Sequence, residues 1–247
     1  QNPSFLALSS DGCFLYAVGE TSEPHGGVFA YTVDKLGSLT RLNSQSSGGA
    51  GPCSIDVHRS GKVVLVANYG GGSVASFPVN NDGSLGEPAS VIQHTGSSVD
   101  QNRQNEPHAH MIRHDRDHNY VFSPDLGTDK IFIYTVDPKT AVLTPHGEAG
   151  VPPGSGPRHI EFHPNRKFAY VINEMGNTIT KFKYDSKAGI LTEGDTVSTS
   201  PVDYSGVSHT ADIHMTDNGK YLYGSNRGHD SLAMYQVDED TGSLSLL

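Results

Sequence analysis

The stretch PSFLALSSDGCFLYAVGE, Pro3 to Glu20, carries the local argument for the fold. An apolar run meets Asp11-Gly12, a pair suited to a tight hairpin because glycine reaches positive φ without a Cβ clash. A second apolar run, Phe14–Val18, returns from that turn. Further along, Val28–Val33 reads as a third strand, and Gly37-Ser38-Leu39 turns into a fourth. The same order restarts at Pro52, Pro107, Pro157 and near Thr210, at separations of 49, 55, 50 and 53 residues. Each copy keeps its turn: Ser60-Gly61, Asp117-His118-Asn119, Asn165-Arg166 and Asn218-Gly219. Each also keeps its returning strand: Val63–Ala67, Tyr120–Ser123, Phe168–Ile172 and Tyr221–Ser225. Third strands follow at Val74–Val79, Ile131–Val136, Ile179–Tyr184 and Leu232–Val237. Leu85, Leu143, Leu191 and Leu244 then open fourth strands. Period-two runs of Val, Ile, Tyr and Phe between Gly, Asp and Asn turns are strand signals, and no segment shows a helical period.

Four strands per unit of about fifty residues is the pattern of a β-propeller. One such sheet cannot bury both its faces, whereas stacked sheets can. Residues 1–247 are therefore read as an all-β chain forming a single propeller domain with five visible four-stranded blades. A β-sandwich with accidental self-similarity is the competing fold.

Composition narrows the partners. The formal net charge is −10, from 17 Lys and Arg against 27 Asp and Glu. Nucleic acid and anionic membrane surfaces both demand an excess of basic residues, so neither is expected as a partner. A small anion remains possible, because a pocket can be basic on an acidic protein. The two cysteines, Cys13 at a turn and Cys53 at a strand start, do not imply a bridge. Free thiols fit a reducing, cytoplasmic compartment.

Hairpin geometry places the candidate site. Residues equidistant from a turn are cross-strand neighbours, so a turn centred near residue 166 sets Arg158 beside Glu174. Likewise His209 faces Arg227, Asn68 faces Pro52, and His108 and His110 face Pro124 to Leu126. All strand-one starts and strand-two ends then converge on one rim of the channel. That rim collects His108, His110, Asp125, Arg158, His159, Glu174, His209, Arg227, His229 and Asp230. Converging carboxylates, imidazoles and guanidiniums make this rim the default site.

His108-Ala-His110 has the alternation of a strand chelate, with Glu174 or Asp125 as further ligands for a metal. Alternatively one imidazole handles substrate or protons and the other packs against the blade, and this second reading is carried forward. Arg158 with Glu174 reads either as an anion clamp beside an acid–base group or as a structural ion pair. Arg227-Gly-His-Asp230 reads as a second cation at the mouth or as a polar loop. His58, His114 and His163 fall near the opposite turns and are read as surface or turn histidines. Val99–Glu106, in the longest repeat, reads as an inserted loop lying over the channel mouth.

The segments Pro107-His-Ala-His110, Asp125-Leu-Gly-Thr-Asp129, Gly156-Pro-Arg-His159, Asn173-Glu174, Ala211-Asp-Ile-His214 and Ser225-Asn-Arg-Gly-His-Asp-Ser231, with the opening Asn2-Pro3-Ser-Phe-Leu-Ala-Leu-Ser, span the chain in order. Through them the chain resembles the seven-bladed propeller lactonases, which include propeller-type 6-phosphogluconolactonases and the carboxy-muconate lactonizing enzymes. The resemblance implies hydrolysis of 6-phospho-glucono-1,5-lactone, a small anionic lactone, without metal or organic cofactor. It also implies His110, Arg158, Glu174 and Arg227 as catalytic residues, and the rim geometry adds His108, Asp125, His159, His209 and His229 as the expected substrate contacts. Seven repeats are the family's number, so about one blade is expected to be missing at each end. Two other functions stay open: a lyase or cycloisomerase acting on a carboxylated diene, and a non-enzymatic propeller binding protein or sugar. Neither the oligomeric state nor the choice between Glu174 and His110 as base follows from the sequence.

Overall fold

A computed structural model describes residues 2–21 and 26–247. Twenty strands form five antiparallel sheets of four, each in simple chain order. The first sheet holds β1 (Pro3–Leu8), β2 (Phe14–Gly19), β3 (Gly27–Val33) and β4 (Leu39–Ser46). The second holds β5 (Pro52–Val57), β6 (Val63–Asn68), β7 (Ser73–Pro78) and β8 (Ser90–Gln93). The third holds β9 (Arg113–His114), β10 (Val121–Asp125), β11 (Lys130–Val136) and β12 (Leu143–Gly150). The fourth holds β13 (Pro157–Phe162), β14 (Phe168–Asn173), β15 (Thr178–Asp185) and β16 (Ile190–Ser198). The fifth holds β17 (His209–Met215), β18 (Tyr221–Arg227), β19 (Ser231–Val237) and β20 (Leu244–Leu246). No helix among the described residues is long and apolar enough to cross a membrane.

Four apolar layers, one between each pair of successive sheets, hold the blades together. Tyr16, Val28 and Phe77 pack between the first two sheets, and Leu65, Ile112 and Tyr134 between the second and third. Phe122, Phe162 and Phe182 fill the next layer, and Tyr170, Ile172 and Leu222 the last. Strands in the inner layers are apolar on both faces, as β6 (VVLVAN) and β14 (FAYVIN) show, each buried along its length. The outward faces of the first and fifth sheets instead expose Leu6, Leu8, Leu232, Met234 and Leu246.

A tyrosine on the second strand ties successive blades. The Tyr16 hydroxyl donates to the Gly83 carbonyl at 3.1 Å, and Tyr170 donates to Gly242 at 2.9 Å. The hairpin turns also repeat: Gly12, Gly61, His118, Arg166 and Gly219 all adopt positive φ at the same place. In two blades a residue with a Cβ takes a conformation that glycine adopts at little cost.

Two strands depart from the expected pattern. The third repeat was expected to begin its first strand at Pro107, but β9 covers only Arg113–His114. The His110 N–H donates to the Pro124 carbonyl, and proline has no N–H to return the bond. The Cys53 thiol approaches the His110 carbonyl at 3.3 Å instead. In the second repeat Leu85 bridges Val79, and the strand starts only at Ser90. Pro88, again without an N–H, separates the two.

The turn histidines are a correction. His58, His114 and His163 lie beside the turns as expected, but they are buried, with relative exposures of 6%, 4% and 3%, and are not surface residues. Blade stacking covers the turns: His163 Nε2 donates to the Gly219 carbonyl of the next blade at 3.1 Å. Cys13 and Cys53 are both free, the first exposed and the second buried.

Candidate active site

First strands lie innermost, so their starts frame one mouth of the channel. The observed pairings Pro52 with Asn68 and His209 with Arg227 match the hairpin expectation. One feature of the register was not legible. Four first strands carry a bulge at the same point, between Pro3 and Phe5, Pro52 and Ser54, Pro157 and His159, and Thr210 and Ile213. A bulge sets two residues against one and re-aims a side chain. The extra residues are Ser4, Cys53, Arg158 and one of the pair Ala211 and Asp212, and all of these line a cavity of about 490 Å³.

Glu174 organises this cavity. Its Oε1 accepts from Arg103 Nη2 at 2.8 Å, and its Oε2 accepts from Arg158 Nε at 3.1 Å. Arg227 Nη2 lies 2.8 Å from Oε2, so three guanidiniums share one carboxylate whose side chain is 7% exposed. Burial acts to raise the Glu174 carboxyl, but the Arg103 hydrogen bond and the three arginine charges outweigh it, and the net shift is downward. Glu174 is therefore an anion at neutral pH, with both oxygens engaged. The arginines keep a net positive charge at the mouth.

Arg158 is held from behind. Its Nη1 donates to the Ala211 carbonyl at 2.7 Å and to His159 Nε2 at 3.1 Å. His159 Nδ1 in turn donates to Asp212 Oδ1 at 2.7 Å. Burial, more than any other influence, lowers the His159 pKa, so the ring is neutral and its Nε2 lone pair is available to Arg158. Arg103 and Arg227 are less enclosed, with side chains 37% and 52% exposed.

His110 sits 3.7 Å from Glu174 Oε2 through Nε2, with its ring edge-on to Tyr69. Burial first, and then the Arg158 charge, pushes its pKa well below the usual histidine value. It is a neutral imidazole at neutral pH. Burial likewise pushes the neighbouring Cys53 thiol up to about 12. A thiol in that state is not a nucleophile.

Five of the sequence-derived residues, His110, Arg158, His159, Glu174 and Arg227, line the cavity together. Four do not. The Asp125 side chain is fully buried and accepts from the His108 and Gly127 N–H groups and from His94 Nδ1. It holds the place that Asn68, Asn173 and Asn226 hold at the end of β6, β14 and β18, where the side chain clamps the next turn. His108 stacks on Tyr69 at 4.5 Å and donates to the Tyr69 carbonyl. His209 of β17 pairs with Arg227 but does not line the cavity, and His229 bonds Ser231 Oγ. Arg103 also lines the cavity, from the loop expected over the mouth, and no sequence motif marks it. That loop lies where it was expected, and Arg103 also bonds the Tyr69 hydroxyl at 3.1 Å.

Stacked four-stranded blades around such a mouth define a β-propeller with a cationic cavity at one end of its channel. The family model described as "Lactonase, 7-bladed beta-propeller" matches residues 1–247, and the chain belongs to that family. It is 41% identical to the 6-phosphogluconolactonase of Bacillus subtilis (strain 168), over all of this chain and 70% of that protein. A 6-phosphogluconolactonase of Formosa agariphila is 34% identical, over 100% of this chain and 71% of that protein. Among solved structures, a periplasmic gluconolactonase of Pseudomonas aeruginosa superposes with a TM-score of 0.93 at 31% identity, covering 100% of this chain and 71% of that one.

Proposed function

We propose that this chain hydrolyses a phosphorylated sugar lactone, 6-phospho-D-glucono-1,5-lactone, to 6-phosphogluconate. The observation that carries this reading is the cluster of three arginines on one buried carboxylate, in the cavity of a lactonase-family propeller. A dianionic phosphate suits half-exposed Arg103 and Arg227, whose planar forks bind oxyanions bidentately. Arg158 is fixed by His159 and Ala211 and supplies positive charge where the lactone carbonyl becomes an oxyanion. Neutral His110 is the better base for the attacking water, because both Glu174 oxygens already accept from arginines. Water adds to the carbonyl carbon, His110 takes its proton, and the ring C–O bond breaks. The proton then passes to the departing ring oxygen, leaving a hydroxyl and a carboxylic acid that releases its own proton to solvent.

The exposed apolar faces of the first and fifth sheets support a ring of more than five blades, in keeping with the seven of the family. Two unpaired cysteines favour a reducing compartment, and we assign the cytoplasm. The test of function compares hydrolysis of the phosphorylated lactone with that of unphosphorylated glucono-1,5-lactone. The proposal expects a kcat/KM at least about 10-fold higher for the phosphorylated substrate, from the charge-assisted contacts it adds. Equal values, or no rate above spontaneous opening, would overturn it.

A further inference from the structure

At the end of the channel opposite the arginine cavity, three histidines from two blades converge. His58 follows β5, His114 ends β9, and His118 sits in the turn between β9 and β10. Their ring centroids lie 5.0, 5.1 and 4.7 Å apart. One ring nitrogen from each lies within 4.8 Å of the other two. Four residues of extended chain separate His114 from His110, roughly 13 Å at the rise of a strand, so this cluster is separate from the cavity at the mouth.

His114 is built as a ligand. Its ring is 4% exposed, and Nδ1 donates to Asp56 Oδ2 at 2.8 Å. Nε2 is buried and has no hydrogen-bond partner. A carboxylate behind one imidazole nitrogen, with a free lone pair on the other, is the arrangement that orients metal-binding histidines. An interior nitrogen left without a partner is otherwise a cost of about 1–3 kcal/mol. His58 and His118 each accept a main-chain N–H on Nδ1, from Ser60 at 3.1 Å and Arg59 at 3.2 Å. Ligation through Nε2 moves their protons to Nδ1 and gives up the bonds from the Ser60 and Arg59 N–H groups. For His58, Ser60 Oγ at 2.8 Å accepts that proton.

The surroundings suit a cation. Asp56, Asp115 and Glu161 line the adjoining cavity of about 310 Å³. The nearby Arg113 and Arg116 are both turned onto Glu161, at 2.7 and 3.3 Å.

We propose that His58, His114 and His118 form a binding site for a zinc-type divalent metal ion that joins the second and third blades. Imidazole donors select this class of metal, and three of them leave a fourth tetrahedral position for water. Bond lengths of about 2.0–2.1 Å place tetrahedral donors about 3.4 Å apart, so nitrogens now within 4.8 Å close by up to about 1.4 Å on binding. His118, on a turn, is free to supply that movement.

The test is titration of the full chain with Zn²⁺ by calorimetry and with Co²⁺ by visible absorption, in a Cys13→Ser background that removes the exposed thiol. One ion per chain is expected, with the intense visible bands of tetrahedral Co²⁺ and a higher Tm. Asp56→Asn should weaken binding by about 10–100-fold, the range for removing such a supporting carboxylate. His118→Ala, at a partly exposed turn, should weaken it at least as much while keeping the metal-free Tm and the lactone rate. No stoichiometric uptake would overturn the proposal, as would unchanged affinity in both variants.

Discussion

Replacing Glu174 by Gln tests the cavity's electrostatic design. The substitution keeps the shape but removes the charge that Arg103, Arg158 and Arg227 share, at 2.8, 3.1 and 2.8 Å. The amide oxygen can accept from one or two of them, and its NH₂ group confronts the third. Breaking a buried ion pair by removing one partner costs about 3–5 kcal/mol. Because Arg103 and Arg227 are partly exposed and can swing into water, the lower part of that range applies. About 3 kcal/mol corresponds to a fall in Tm of about 6–12 °C for a chain of this size. The cavity meanwhile gains a unit of positive charge. Phosphate should therefore bind the variant more tightly than the wild type and restore part of the lost Tm. In hydrolysis, KM should fall while kcat falls by about 10²-fold, as Arg158 loses its fixed direction. Calorimetry with and without phosphate, together with steady-state kinetics, reads all of these. A variant with wild-type Tm, KM and kcat would refute the reasoning.

Other outcomes follow from the same geometry. Arg103→Ala should raise KM for the phosphorylated lactone by about 10-fold, the worth of one charge-assisted contact, and leave the unphosphorylated lactone unaffected; steady-state kinetics on both substrates checks it. Tyr170→Phe removes the inter-blade bond to Gly242 and should cost about 1 kcal/mol in urea unfolding, with an unchanged m-value. Acid should destabilise the fold early. His58, His110, His118, His159 and His163 all have folded pKa values below 6.5, with burial the first cause in each. Below pH 6.5 the unfolded chain binds the protons that the fold refuses, so stability is retained above 6.5 and lost as pH falls below it. For His118 the loss runs from 6.5 to about 4. His214, raised first by its hydrogen bond to Asp212, opposes this weakly from an exposed position. Urea midpoints at pH 7.5 and 5.0 give the sign.

What the sequence revealed and what it hid have separate physical causes. Turn residues recur at a fixed place in each unit, so blade order, register and the nearness of Arg158 to Glu174 could be reckoned outward from the hairpins. The bulges could not, because a bulge is set by strand pairing and no residue type marks it. Yet the bulge is what points Arg158 at the axis. Arg103 was hidden for another reason: it lies on a loop, and no periodicity tells where a loop side chain reaches. Asp125 was misplaced because a carboxylate at a rim looks like a ligand for substrate, whereas here it satisfies main-chain N–H groups of its own turn. The buried histidines share one explanation. Each lies at a turn that is exposed in a lone blade and covered once the next blade stacks on it, as Gly219 covers His163.

The most direct test of the proposed chemistry is the hydrolysis rate of 6-phospho-glucono-1,5-lactone by the wild-type chain and its His110→Ala variant, measured over the spontaneous background. The variant should lose about 10²–10⁴-fold in kcat, the usual contribution of a positioned base, and keep its KM. A kcat for His110→Ala equal to that of the wild type would contradict the assignment of His110 as the base.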